Sequence, residues 1–131
     1  MLFRTLMTSC ILLALPALAL ADPTGTFDVT GSGDGSAYSG TVKVSRTGGT
    51  YDVQWTIAGE KFVGTGIGAK FTGDRFEMGP ASSDDTAISV GYASKNNFGI
   101  AMYFEQPDGT WQGVWTYGGA KKVNMETWTR R

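Results

Sequence analysis

A hairpin-sized segment occurs twice in this chain, sixty positions apart. Gly49-Thr50-Tyr51 and Gly109-Thr110-Trp111 open the two copies. Trp55-Thr56 answers Trp115-Thr116, Gly59 answers Gly119, Lys61 answers Lys121 and Val63 answers Val123. In each copy an alternating aromatic strand runs into a glycine turn and then a second strand. Two such hairpins in so short a chain predict a meandering all-β fold. The repeated residues are tryptophan, threonine and glycine, so the repeat carries strand and turn signals rather than an acid, a base or a nucleophile.

Glycine-centred punctuation continues along the chain. Gly33-Asp34-Gly35, Gly48-Gly49, Ala58-Gly59, Gly73-Asp74, Asn96-Asn97, Asp108-Gly109 and Gly118-Gly119 recur at short intervals. Most are two-residue hairpin signals, where Gly or Asn supplies the positive φ the turn requires. Between them, period-two runs of strand length place residues on common faces. Tyr38, Gly40, Val42 and Val44 form one such set, and Tyr51, Val53, Trp55 and Ile57 another. Ile88, Val90 and Tyr92 follow, then Phe98, Ile100, Met102 and Phe104, then Trp111, Gly113, Trp115 and Tyr117. The one irregular piece is residues 79–85, Gly-Pro-Ala-Ser-Ser-Asp-Asp.

Eight or nine strands joined by tight turns must run antiparallel to their neighbours. Closure on itself is the simplest way for such a meander to hide its edges. The expectation is an eight-stranded up-and-down barrel, with a two-sheet sandwich as the alternative. The second faces carry Lys43, Ser45, Asp52, Gln54, Thr56 and Gln112, which argues against the apolar outer band of a membrane barrel.

The beginning of the chain reads as an export signal. Arg4 precedes a nearly unbroken apolar run from Leu6 to Leu20, and Ala19-Leu20-Ala21 is a small-x-small cleavage site. Residues 1–21 are therefore expected to be removed, leaving residues 22–131 as one β-barrel domain in the periplasm or outside the cell, with no membrane span after cleavage. The only cysteine, Cys10, lies in the signal, and the chain has no histidine. Disulfides, the common zinc, copper and haem sites, and Ser-His-Asp or Cys-His chemistry are excluded. No cofactor is expected. Losing Arg4 leaves ten basic and twelve acidic residues, a net charge of −2, which argues against a nucleic-acid partner.

The hairpin register predicts what the barrel encloses. A two-residue turn at Ala58-Gly59 sets Trp55 against Phe62, Val53 against Gly64 and Tyr51 against Gly66, large against small. A two-residue turn at Gly118-Gly119 sets Trp115 against Lys122, Gly113 against Asn124 and Trp111 against Glu126. Glu126 then lies among tryptophans, Trp128 included, and needs a partner. Tyr103, Lys122 and Arg130 are the candidates. The resulting candidate ligand site is Trp55, Tyr103, Trp111, Trp115 and Glu126: an aromatic cage with one polar anchor. A turn one residue longer would exchange the faces and put Glu126 in solvent, and the tryptophans would then be core alone. Asp84, Asp85 and Glu105 show no spacing that selects an acid–base pair and read as solvated loop and edge charges.

Two resemblances add to this reading. Gly25-Thr26-Phe27 on the first strand, with Arg130 at the end of the last, resembles the closure of calycin barrels such as lipocalins and avidins, where a Gly-x-Trp packs beneath a late basic side chain; Phe27 stands here in place of the tryptophan. The stretches Gly33-Asp34-Gly35-Ser36-Ala37-Tyr38-Ser39-Gly40, Tyr51-Asp52-Val53-Gln54-Trp55, Gly64-Thr65-Gly66-Ile67 and Asp108-Gly109-Thr110-Trp111-Gln112-Gly113-Val114-Trp115 are similar to small exported proteobacterial β-barrel proteins, some labelled fibronectin-binding. That likeness implies a non-enzymatic binding protein that engages an extracytoplasmic protein, a matrix protein or a hydrolase, through its barrel surface or loops, with residues 79–85 and 94–97 as candidate loops. The alternative is a carrier of a small apolar or aromatic molecule in the barrel mouth.

Overall fold

The computed structural model describes residues 21–131, so all of the expected export segment except Ala21 lies outside the described residues. The strands are β1 (Gly25–Gly33), β2 (Ser36–Thr47), β3 (Thr50–Ile57), β4 (Glu60–Thr72), β5 (Arg75–Gly79), β6 (Ala87–Ala93), β7 (Phe98–Glu105), β8 (Trp111–Tyr117) and β9 (Asn124–Arg130). Among the described residues no helix is long and apolar enough to cross a membrane.

All neighbouring strands are antiparallel, in the order β3-β2-β1-β9-β8-β7-β6-β4-β5, and β3 also pairs with β4. That last pairing closes eight strands into a barrel and leaves β5 as an appendage. β4 is long enough to do both: residues 60–66 pair with β3 and residues 68–72 with β5, while its other edge pairs with β6. The seam of the barrel joins β1 to β9, with Phe27 opposite Arg130.

The turn at Ala58-Gly59 is the two-residue hairpin expected, with both φ values positive at 51° and 80° and Trp55 opposite Phe62. Gly64, Gly66 and Gly68 are covered by neighbouring side chains: an added Cβ would meet Val90, Ile88 and Asp85 respectively. Interior aromatics fill most of the remaining space. Phe27, Tyr51, Tyr103, Trp111 and Trp128 are at most 1% exposed, and burying each stabilises the fold by about 2–3 kcal/mol.

The two ends of the barrel differ. One end is a floor. Arg130 lies 4.6 Å over the Phe27 ring and donates to the carbonyl oxygens of Asp22 and Thr24, both at 2.6 Å. Residues 79–85 turn inward there. Asp85, read from sequence as a solvated loop charge, is 2% exposed. Its carboxylate accepts from the Tyr51 hydroxyl at 2.5 Å and the Ser82 N–H at 2.8 Å. The physical reason is Gly68, whose missing side chain leaves the space Asp85 fills. Asp84 does stay outside, where it pairs with Lys70 at 3.0 Å. The opposite end, with the Asp34-Gly35, Ala58-Gly59, 94–97 and 118–123 turns, is open.

The outer surface is also divided. On β2 and β3 it carries the polar residues expected. On β4, β7, β8 and β9 it carries Val63, Ile67, Phe98, Ile100, Phe104, Val114 and Met125, each 37–69% exposed. The run Phe98, Ile100, Met102 and Phe104 thus shares a face as its spacing implies, but outside the barrel, because Gly99, Ala101 and Tyr103 take the interior.

Candidate functional site

Glu126 sits in the middle of a row that crosses five strands. In register the row reads Tyr38 of β2, Gly31 of β1, Glu126 of β9, Gly113 of β8 and Tyr103 of β7. The glycines explain the arrangement. A Cβ on Gly31 would strike the Tyr38 hydroxyl, and one on Gly113 would strike the Tyr103 ring. Each tyrosine therefore lies across its neighbouring glycine and reaches the carboxylate one strand further on.

Four donors converge on Glu126. Oε1 accepts from Trp55 Nε1 at 2.9 Å, from the Tyr103 hydroxyl at 2.8 Å and from Trp128 Nε1 at 2.7 Å. Oε2 accepts from the Tyr38 hydroxyl alone, at 2.5 Å. Trp128 lies two residues along β9 on the same face, while Trp55 reaches across from β3. Tyr103 stacks on Trp128 with ring centroids 3.9 Å apart, which fixes both donors. The acid is 4% exposed. Burial first, then the charge of Glu126 and its hydrogen bond, pushes the Tyr103 phenol well above its ordinary range, and the same causes raise Tyr38. Both phenols consequently stay protonated donors.

Above the carboxylate, towards the open end, is a cavity of about 250 Å³. Tyr38, Trp55, Phe62, Tyr92, Tyr103, Trp115 and Tyr117 wall it, with Glu126, Asp34 and Glu60 as its charged residues. The rings meet edge to face: Trp55 with Tyr92 at 5.7 Å and Trp115 with Tyr117 at 5.0 Å. The Trp115 indole N–H is close enough to the Tyr38 hydroxyl to favour its ionised form, but it makes no hydrogen bond of proper geometry among the described residues.

Of the five residues expected at the site, Trp55, Tyr103, Trp115 and Glu126 line this cavity. Trp111 does not. It is fully buried opposite Trp128, and its indole N–H has no partner among the described residues. Of the three proposed partners of Glu126, only Tyr103 binds it. Lys122 is exposed, with its carbonyl held by Thr116 Oγ1 at 2.7 Å, and Arg130 is engaged at the floor. Tyr38, Trp55 and Trp128 are donors beyond those three candidates.

The β8–β9 register differs from the one expected. Trp111 faces Trp128, Gly113 faces Glu126 and Trp115 faces Asn124. The connection spans residues 118–123: the turn at Gly118-Gly119 closes, with Ala120 N–H on the Tyr117 carbonyl at 3.1 Å, and Gly118 N–H bonds the Phe98 carbonyl on β7 at 2.8 Å, but pairing with β9 resumes only at Asn124. The offset is two residues, an even number, so every side chain keeps its predicted face.

Among the described residues no group of three or more Asp, Glu, His or Cys is placed to hold a metal ion. The arrangement offers a fixed acceptor under aromatic walls. Comparison with family models, with curated proteins and with solved structures returns no match.

Proposed function

We propose that this protein is an exported, non-enzymatic binding protein that takes one small, flat, largely apolar molecule into the barrel mouth, with Glu126 as its polar anchor. The carrying observation is the cavity of about 250 Å³ that runs between aromatic walls down to a rigidly held carboxylate. Its size selects the guest. An apolar cavity of ~150 Å³ accepts benzene, while sites for larger ligands take ~300–1,000 Å³. One or two rings fit here. Tryptophan emission supplies the test, since Trp55 and Trp115 line the cavity. A panel of one- and two-ring compounds is expected to include some that shift or quench the emission saturably. A panel without effect at millimolar concentration would refute the reading.

A second reading, binding to another polypeptide through the barrel surface, is supported by the apolar outer face of β4, β7, β8 and β9. Its seven large side chains expose on the order of 700 Å², more than the ~300–600 Å² of the largest patch on a typical monomer. It is close to the ~800 Å² each partner gives a stable interface. The occupant we favour is a second copy. Phe98 and Ile100 on β7 form a ridge beside Ala93 and Gly91 on β6, their register partners, and nothing covers Gly91. A two-fold axis sets each ridge into the other's groove. Light scattering at 100 µM is expected to give a dimer that Ile100→Glu dissociates; a monomer at that concentration would overturn the assignment.

A further inference from the structure

We propose that the mouth pocket selects organic cations: a protonated amine on a short aromatic or apolar stem. This rests on the reading of the mouth as a binding site and specifies what enters it. Three observations carry it.

The first is the state of the Glu126 carboxylate. A carboxylate has about four acceptor positions, two on each oxygen. The donors are unevenly spread: three crowd onto Oε1, more than its two positions, while Oε2 takes one and keeps its second acceptor position, in a residue that lines the cavity. A further donor belongs there.

The second is charge. All four donors to Glu126 are neutral, so its buried negative charge has no counter-ion among the described residues. A buried charge is costly unless paired, and a cationic guest would pair it. Asp34 and Glu60 at the cavity's outer edge have the same sign, and no lysine or arginine is among the lining residues. The exposed Lys121 and Lys122 on the last mouth turn do not line it. An anionic guest would meet three carboxylates.

The third is the wall. Ring faces attract a cation within ~6 Å, and more strongly when water is excluded. Seven aromatic residues surround the space in which an amine on Oε2 would sit. A neutral guest of the same shape gains the apolar contact but neither the ring attraction nor the charge-assisted bond.

The test is a series of equal-shaped probes at neutral pH: benzylamine, benzyl alcohol and benzoate, titrated by calorimetry against the intact domain. Benzylamine is expected to bind about tenfold or more tightly than benzyl alcohol, with benzoate weakest. Glu126→Gln is expected to abolish the advantage of benzylamine over benzyl alcohol, bringing the two to the same level. If that variant does not fold, the wild-type series alone decides. Benzyl alcohol binding as tightly as benzylamine, or benzoate binding best, would overturn cation selection and leave the mouth a site for other guests. Binding of none of the three at millimolar concentration would overturn both statements.

Discussion

Tyr103→Phe removes one atom from the interior, and the structure sets what that costs. The hydroxyl donates to Glu126 Oε1 at 2.8 Å; donor and acceptor residues are 1% and 4% exposed. The ring and its stack on Trp128 remain, so almost no apolar burial is lost. The gap left by a single hydroxyl is too small for a water with partners of its own. A hydrogen bond to a charged group contributes about 1.5–3 kcal/mol. At about 2 kcal/mol, and ~4–8 °C per kcal/mol for a domain near this size, the thermal midpoint is expected to fall by roughly 8 °C or more. Urea unfolding followed by tryptophan emission gives the free energy directly. The same change in a Glu126→Gln background removes a bond to a neutral acceptor and should cost about 1 kcal/mol less. Tyr117→Phe, whose hydroxyl makes no hydrogen bond among the described residues, should stay within about 0.5 kcal/mol of wild type. A Tyr103→Phe cost below about 0.5 kcal/mol, or one unchanged by Glu126→Gln, would refute the idea that a charged acceptor organises the site.

Further outcomes follow from the same geometry. All five tyrosines have pKa values raised by burial first. They stabilise the fold fully below pH ~10, where unfolded tyrosines are also protonated, and that contribution is lost as pH rises towards the folded values. Phenolate absorbance should therefore lag past pH 10 and rise together with loss of the sheet's circular dichroism; independent titration near pH 10 in a folded barrel would contradict this. Gly113→Ala pushes the Tyr103 ring off its place and should destabilise by about 1–3 kcal/mol, with weaker guest binding than stability alone explains; an unchanged urea midpoint would count against it. Gly68→Ala expels Asp85 from its seat and should expose residues 79–85 to proteolysis while the mouth pocket keeps its affinity.

Much of this arrangement is legible in the residues. Alternation identifies the inner faces of β3, β6 and β8, because an aromatic or β-branched residue at every second position has nowhere to go but the interior. The Ala58-Gly59 register is readable because a two-residue turn leaves no freedom. Gly118-Gly119 looks equivalent but is not: its turn closes on Ala120, yet the ladder with β9 resumes only at Asn124. Tyr38 and Trp55 are hidden as donors because they meet Glu126 across strands, never along one, whereas Trp128 shares its face two residues along β9. The outward apolar face of β7 is hidden differently. Period two states that Phe98, Ile100 and Phe104 share a side, but their hydrophobicity names the wrong one; Gly99 is inside because Tyr92 lies across it and leaves no room for a side chain.

The seam between β1 and β9 also sets when the site can come into being. Glu126 travels on the last strand, and the donors that meet it lie 88 and 71 residues earlier for Tyr38 and Trp55. Such distant pairings form late, after local hairpins have gathered. A chain still emerging, or cut short before β9, would be an open sheet with unpaired edges at β1 and β8 and no acid at its centre. Arrival of β9, closure of the barrel and birth of the binding site are thus one event, and guest binding would report that the barrel has closed.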